Sequence, residues 1–300
     1  MRLIFCSDPL NERKHDPIYE PEISVAKTLD LETSLLSYET LVNANDPQRA
    51  IRRISEANTP VLGIYRGWML KPRQYEQLYT ALLEKQIRLI NDPAAYRFCH
   101  YLPESYSVIA PYTPQSTYLW AADGLDLDRI MEALQPFGTA PIVLKDFVKS
   151  QKHYWHEAFY IPSASDKEGV GRVVARFLEL QGDDLNEGLV FRKFVELEPL
   201  GSHSKSGMPL TREYRLFFLD GKLIYSTEYW SDAEYGGDPP PTEHFIEVAK
   251  AIKSRFFTMD IAKQVNGAWI IVELGDGQVA GLPDNADVMA FYSAMKDAAS

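Results

Sequence analysis

Residues 256–282 read FFTMDIAKQVNGAWIIVELGDGQVAGL. Asn266-Gly267 stands between two apolar runs, a strong hairpin signal because both residues tolerate the positive φ of a tight turn. The pattern predicts strands at 258–262 and 268–274. Each carries one acid among hydrophobic neighbours: Asp260 beside Met259 and Ile261, Glu273 beside Val272 and Leu274. Thirteen positions separate the acids, and a short hairpin would hold them side by side. Two carboxylates at close range raise each other's pKa unless a cation lies between them. Mg²⁺ suits that place, since it is hard and is commonly held by one or two carboxylates plus substrate phosphates. On the pattern alone, an edge hairpin with both acids facing water is an equal alternative.

Working back from the hairpin, Thr242 is expected to cap a helix whose inner face is Phe245, Val248, Ala249 and Ile252. Residues 213–219 and 223–228 flank Asp220-Gly221 and predict a second hairpin with a type I′ turn. Alternation puts Glu213, Arg215, Phe217 and Leu219 on one face. The loop 201–207, GSHSKSG, is small and polar and reads as a flap or an idle surface loop. Further upstream, LVFRKFV at 189–195 is a strand. Ser165 with Glu168 forms a capping box for a helix with the stripe Val170, Val173, Val174, Phe177 and Leu178. PIVL at 141–144 is a strand that runs into Lys145-Asp146, and 126–135 is a helix.

The first hundred residues alternate strand and helix, as in a small open α/β sheet. Strands are expected at 2–6, 34–42 and 60–65, with a short one at 87–90. Helices are expected from Asp46-Pro47 to about 57 and over 74–88, while 11–30 reads as irregular. Turn residues and prolines between 91 and 112 mark a boundary. Hydrophobic residues make up 45% and charged residues 24%, which suits a globular chain with a sizeable core. The net charge of -11 argues against a broad grip on nucleic acid or an anionic membrane. Two cysteines without metal spacing, no apolar run of spanning length and a quickly polar N-terminus point to a reduced, cytoplasmic setting.

The order of these pieces is an α/β unit, INDP, a helix, PIVLKD, a capped helix, LVFRKFV, REYRLFFLDGKLI and MDIAKQVNGAWIIVELGDG. It resembles the ATP-grasp superfamily over nearly the whole chain. More narrowly, it is similar to the R2K clade, named for two arginines and a lysine. The acid pair in its hairpin, preceded by an Asp-Gly strand pair with an acid at its start, is the strongest part of the match. The resemblance implies an N-terminal open α/β domain (1–95), a central α+β nucleotide-binding subdomain (96–190) and a C-terminal α+β subdomain with the metal site (191–300). The two α+β subdomains would clasp ATP. The implied reaction activates a small-molecule or peptide carboxylate as an acylphosphate for attack by an amine, with Mg²⁺ present and ADP released. A catalytically degenerate ATP-binding module, serving as nucleotide sensor or assembly partner, is the alternative.

Carried over position by position, Lys145 matches the strand-end lysine on the α and β phosphates. Lys193, Phe194 and Val195 match the linker whose backbone reads the adenine edge, and Glu213 matches the acid on the ribose hydroxyls. Asp260 and Glu273 match the metal ligands. Arg97, after INDPAAY, stands where many members have a second phosphate-binding lysine. Where members often have Glu-x-Asn, this chain has Glu273-Leu274-Gly275, so either Asp276 is the third ligand or two protein ligands remain. Lys149, Ser150, Lys152 and His153 replace the usual glycine-rich loop after Lys145.

Arg215 shares a face with Glu213 and is the candidate catalytic cation with Lys145, since a guanidinium grips oxyanions in pairs. Its alternative is a cross-strand ion pair with Glu213, Glu228 or a neighbour. Arg212 has the same two readings. His153 and His156 have helical spacing, but two ligands make no zinc site. Tyr154, Trp155, Phe159 and Tyr160 read as a hydrophobic lid packed on its own domain, with stacking on a base or substrate as the alternative. Arg66, at a strand end, is a substrate-site candidate.

Overall fold

A computed structural model of the chain describes residues 1–202, 209–237 and 239–299. In its first strand, β1 (Arg2–Asp8), the side chains of Leu3, Ile4, Phe5 and Cys6 are fully buried. Burial on both faces is characteristic of parallel strands. β1 indeed lies between β3 (Glu32–Leu36) and β4 (Val61–Arg66), both parallel to it, with β5 (Ile87–Leu89) beyond β4. β2 (Asn11–His15) folds back antiparallel onto the end of β1. Ile4 and Cys6 face α2 (Tyr38–Val42), α3 (Pro47–Ala50) and α4 (Pro72–Glu84), while Leu3 and Phe5 face α1 (Glu20–Thr28). Residues 11–30 are therefore not irregular, since β2 and α1 occupy them. The expected strand 34–42 is divided because Ser37 caps a helix, accepting a hydrogen bond from the Thr40 amide. The helix expected to reach residue 57 ends at Ala50.

The supposed boundary at 91–112 is largely helical: α5 (Pro93–His100) and α6 (Leu102–Ile109) fill it. Next comes an antiparallel sheet in the order β6 (Ser116–Trp120), β9 (Gly188–Lys193), β7 (Ile142–Asp146) and β8 (Tyr160–Ile161). One face packs Ile142, Leu144, Leu189 and Phe191 against α7 (Leu127–Leu134) and α8 (Lys167–Gln181). The cap of α8 is Asp166, which accepts from the Gly169 amide at 3.1 Å, in place of the expected Ser165.

The last third begins with the short pair β10 (Pro199–Ser202) and β11 (Pro209–Thr211). The flap read into GSHSKSG falls mostly outside the described residues. β12 (Glu213–Leu219) and β13 (Lys222–Glu228) meet at Asp220-Gly221, whose φ values of 48° and 74° fit the expected turn. α9 (Thr242–Ala249) starts at Thr242, with Pro241 in the cap position. β14 (Phe256–Lys263) and β15 (Trp269–Asp276) are longer than expected and complete an antiparallel sheet in the order β13, β12, β14, β15. One face of this sheet packs Leu216, Phe218, Met259, Ile261 and Leu274 against α9, α5 and α6. On the other face, Phe217, Leu219 and Phe256 meet the N-terminal sheet. α10 (Val288–Ala298) returns to that sheet and buries Phe291, Tyr292 and Met295 against Leu3, Phe5 and Ile64. Among the described residues, no helix is long and apolar enough to cross a membrane.

Candidate functional site

Alternation decides which side chains line the gap between the two antiparallel sheets. In β7, Ile142 and Leu144 face the helices, so Lys145 faces the gap. In β9, Leu189 and Phe191 face the helices, so Val190 and Arg192 face the gap beside Lys145 and Val143. On the opposing sheet, the register sets Arg215, Asp260 and Glu273 in one row across β12, β14 and β15. Arg215 donates from Nε and Nη2 to Asp260 Oδ1 and Oδ2 at 2.8 and 2.7 Å. Its Nη1 donates to the Gly281 carbonyl at 3.0 Å, and its guanidinium lies 4.9 Å from the centre of the Tyr229 ring. Lys145 Nζ crosses the gap and lies 3.3 Å from Glu273 Oε2. Four charges, Lys145, Glu273, Asp260 and Arg215, thus form a line from one sheet to the other, with the two acids side by side and a cation at each end.

The hairpin is not regular. Asp260 pairs with Glu273, but Ile261 pairs with Ile271, so Val272 is an extra residue in β15. Such a bulge lets Ile271 pack in the core while Glu273, two residues on, faces the gap beside Asp260. Arg192 reaches across from β9 to this bulge, donating to the carbonyls of Val272 and Ile271 and to Thr113 Oγ1.

Burial, opposed by Arg215, pushes Asp260 above the usual carboxylate value. Burial also works against the charge of Glu273, yet Lys145 and then Arg215 hold this group below its usual value. Two adjacent carboxylates beside cations are a donor set that Mg²⁺ takes when phosphates complete its shell. Among the described residues, no third metal-binding side chain joins them.

The structure does not bring Asp276 to the pair. Asp276 is fully buried and accepts from Asn91 Nδ2 at 2.6 Å and from the amide and Nε2 of Gln278 at 3.0 and 3.1 Å. Its cross-strand partner is Phe257, which sets it on the other face of β15 from Glu273, although it lines the same cavity as Asp260 and Glu273. Arg97 is also elsewhere: Nε donates to Glu104 at 2.8 Å, and the guanidinium lies over Tyr101 and Trp120. Glu213 is on the face of Arg215, buried, and accepts from Thr211 Oγ1 and Trp230 Nε1, while burial raises its pKa. The amides of Lys193 and Phe194 donate to the carbonyls of Gln115 and Pro141, and Val195 follows in the linker between the sheets. The Phe194 ring packs on Trp155 and Tyr160. Arg66 is not open to a substrate. It is 2% exposed and bonds Glu22 and the carbonyls of Gly277, Gln278 and Ala280. Arg212 pairs with Glu198 at 2.6 Å.

Two residues of the site gave no sequence signal of their own. His100 lines a cavity of about 200 Å³ together with Met69, Ser105, Phe147 and the charge line. Burial lowers its pKa to about 4, which keeps it neutral, and it stacks on Tyr96 at 4.9 Å. Asp146, quoted only as the neighbour of Lys145, accepts from the amides of Val148 and Lys149 and from Gln181 and Asn186. These bonds fix the turn where the glycine-rich loop was expected. In the segment that follows, the Lys152 ammonium lies 5.1 Å from the centre of the Trp230 ring.

A family model described as the ATP-grasp domain, R2K clade family 3, matches residues 135–295, more than half of the chain. Among solved structures, the chain is similar to a RimK-domain ATP-grasp protein from Sphaerobacter thermophilus (14% identity, 98% of each chain, TM-score 0.59). It is also similar to the ATP-grasp ligase PsnB, solved with a phosphomimetic variant of its minimal precursor, Mg and ADP (11% identity, 100% of this chain and 98% of that one, TM-score 0.58). A third is the D-alanine–D-alanine ligase from Bacillus anthracis with ATP (14% identity, 99% and 95%, TM-score 0.56). At such identities the likeness speaks for the fold. No match is found among curated proteins. With the sheets, the gap and the charge line in the same account, the chain belongs to the ATP-grasp proteins of R2K clade family 3.

Proposed function

We propose that the protein is an ATP- and Mg²⁺-dependent ligase that converts a carboxylate to an acylphosphate, which an amine then attacks, releasing ADP and phosphate. The observation that carries this reading is the contact of Lys145 with Glu273 across the gap, because it joins a phosphate-type cation to a metal-type acid. In this reading Lys145 exchanges Glu273 for the α and β phosphates. The Val195 end of the linker takes the adenine edge, since the Lys193 and Phe194 amides already bond the sheet. Glu213 takes the ribose hydroxyls. Asp260 and Glu273 would hold Mg²⁺, which when bound offsets phosphate charge. Arg215 donates to the oxygens of the moving phosphoryl group, where paired N–H donors stabilise developing charge. The division at residues 95 and 190 belongs to the same proposal, with solved ligases of this fold acting on a peptide precursor or on D-alanine as the models for substrate size.

The test is calorimetry followed by turnover. Mg²⁺ and ATP together should bind and raise the melting temperature by mass action, and Lys145→Ala should remove most of that gain. A panel of carboxylates with hydroxylamine should then yield a hydroxamate and ADP. Absence of binding at millimolar nucleotide would refute the proposal. One observation favours the sensor reading instead: both oxygens of Asp260 are held by Arg215. ATP binding without ADP from any acid of the panel would select it.

A further inference from the structure

Arg192 is 8% exposed, and among the described residues no carboxylate lies within ion-pair distance of its guanidinium. A buried cation whose hydrogen bonds go only to neutral acceptors is costly even with the charge of Glu273 nearby, and an apolar side chain of similar volume would serve stability as well. What Arg192 contacts is specific. Nη1 donates to the carbonyl of Val272, the extra residue of the bulge, and Nη2 donates to the carbonyl of Ile271 at 3.0 Å and to Thr113 Oγ1. Thr113 Oγ1 in turn donates to the same Ile271 carbonyl at 2.7 Å. A bulge disrupts the ladder and leaves its extra residue unpaired. Arg192 and Thr113 supply bonds there, one and two residues before Glu273.

The other end of the arrangement is β9 itself. Arg192 directly precedes Lys193, Phe194 and Val195, the segment assigned above to adenine. We infer that Arg192 is a positioning residue that couples the two halves of the site, tying the nucleotide-reading strand to the bulge that aims Glu273 at the metal. This rests on the proposed function. Coupling of this kind is reciprocal: ATP should tighten Mg²⁺ binding and Mg²⁺ should tighten ATP binding by the same factor.

The experiment is calorimetry of the full chain, with ATP titrated in the presence and absence of Mg²⁺. It compares the wild type with Arg192→Gln, Arg192→Lys and Thr113→Val. The wild type should bind ATP more tightly with Mg²⁺. Arg192→Gln should reduce that gain by about tenfold, with ATP alone changed less than about threefold, in the usual range of coupling energies. Arg192→Lys, which keeps the charge but only a point donor, should restore part of the gain. Thr113→Val removes one partner without removing the cation, should lose a smaller part, and decides the matter if Arg192→Gln does not fold. The inference is overturned if the variants keep the whole Mg²⁺ gain, or if ATP alone and ATP with Mg²⁺ weaken equally. A wild type that binds ATP but gains nothing from Mg²⁺ overturns the metal assignment and this inference together. A wild type that binds no ATP overturns the proposed function first.

Discussion

Arg215 and Asp260 hold each other by two hydrogen bonds, so either residue can be changed to ask what the other does alone. Arg215→Lys keeps the charge but loses the paired donors. A lost transition-state contact of this kind costs about 2–4 kcal/mol, and turnover is expected to fall roughly a hundredfold while calorimetric ATP affinity changes little. Full turnover would leave Arg215 a structural partner of Asp260. Asp260→Asn and Glu273→Gln keep shape without charge and should abolish turnover, with circular dichroism unchanged. The acids were legible because each is a lone charge in an apolar strand next to a turn signal. Arg192 was not, because β9 carries Arg192-Lys193 in sequence and only the sheet register shows which one is buried. For Asp276 the sequence left two readings open, since position in the chain places it near Glu273, while alternation turns it toward Asn91.

At the scale of elements, the deciding feature of β15 is its bulge. Deleting Val272 should heal the ladder, because Glu273 would still oppose Asp260 and Ile271 would still oppose Ile261. We expect the deletion to fold, by thermal melting and circular dichroism, and to lose the Mg²⁺ gain in ATP binding, since a carbonyl held by Arg192 disappears. A folded deletion with the whole gain would make the bulge idle. Both hairpins were readable because their turns need residues at positive φ, Asp220 and Gly221 in one and Gly267 in the other. α1, α5 and α6 were not. α1 buries only Glu22, Ile23 and Ala26, too few apolar residues for a stripe. α5 and α6 are eight residues each, with a proline in the first turn that also reads as a turn signal, and they are held by the sheet on which they pack.

Across the whole molecule, the N-terminal and C-terminal sheets are joined by buried polar groups. Asn91 donates to Asp276 and to the Phe256 carbonyl, and Gln278 donates to Tyr75. Burial pushes the Asp276 carboxyl up to about 6. The folded chain therefore keeps this proton longer than the unfolded chain does. The stabilising contribution is whole below about pH 4 and is lost as pH rises through about 6, a swing of ~3 kcal/mol. Asp276→Asn should lack that slope, so its melting temperature relative to wild type should rise by roughly 5 °C between about pH 4 and pH 7. A constant difference would show that Asp276 does not titrate in that range. The packing of α10 on β1 has a consequence for synthesis. Phe5 leaves the ribosome 286 residues before Phe291, its partner in the core. At about 5–20 residues per second, that is an interval of about 15 to 60 s during which α1 alone, of the two helices α1 and α10, covers the Phe5 face of the first strand. Until α10 has been made, the part of that core which Phe291, Tyr292 and Met295 fill stays open. A stop after Asp287 should leave that part open for good, with most of the product in the insoluble fraction.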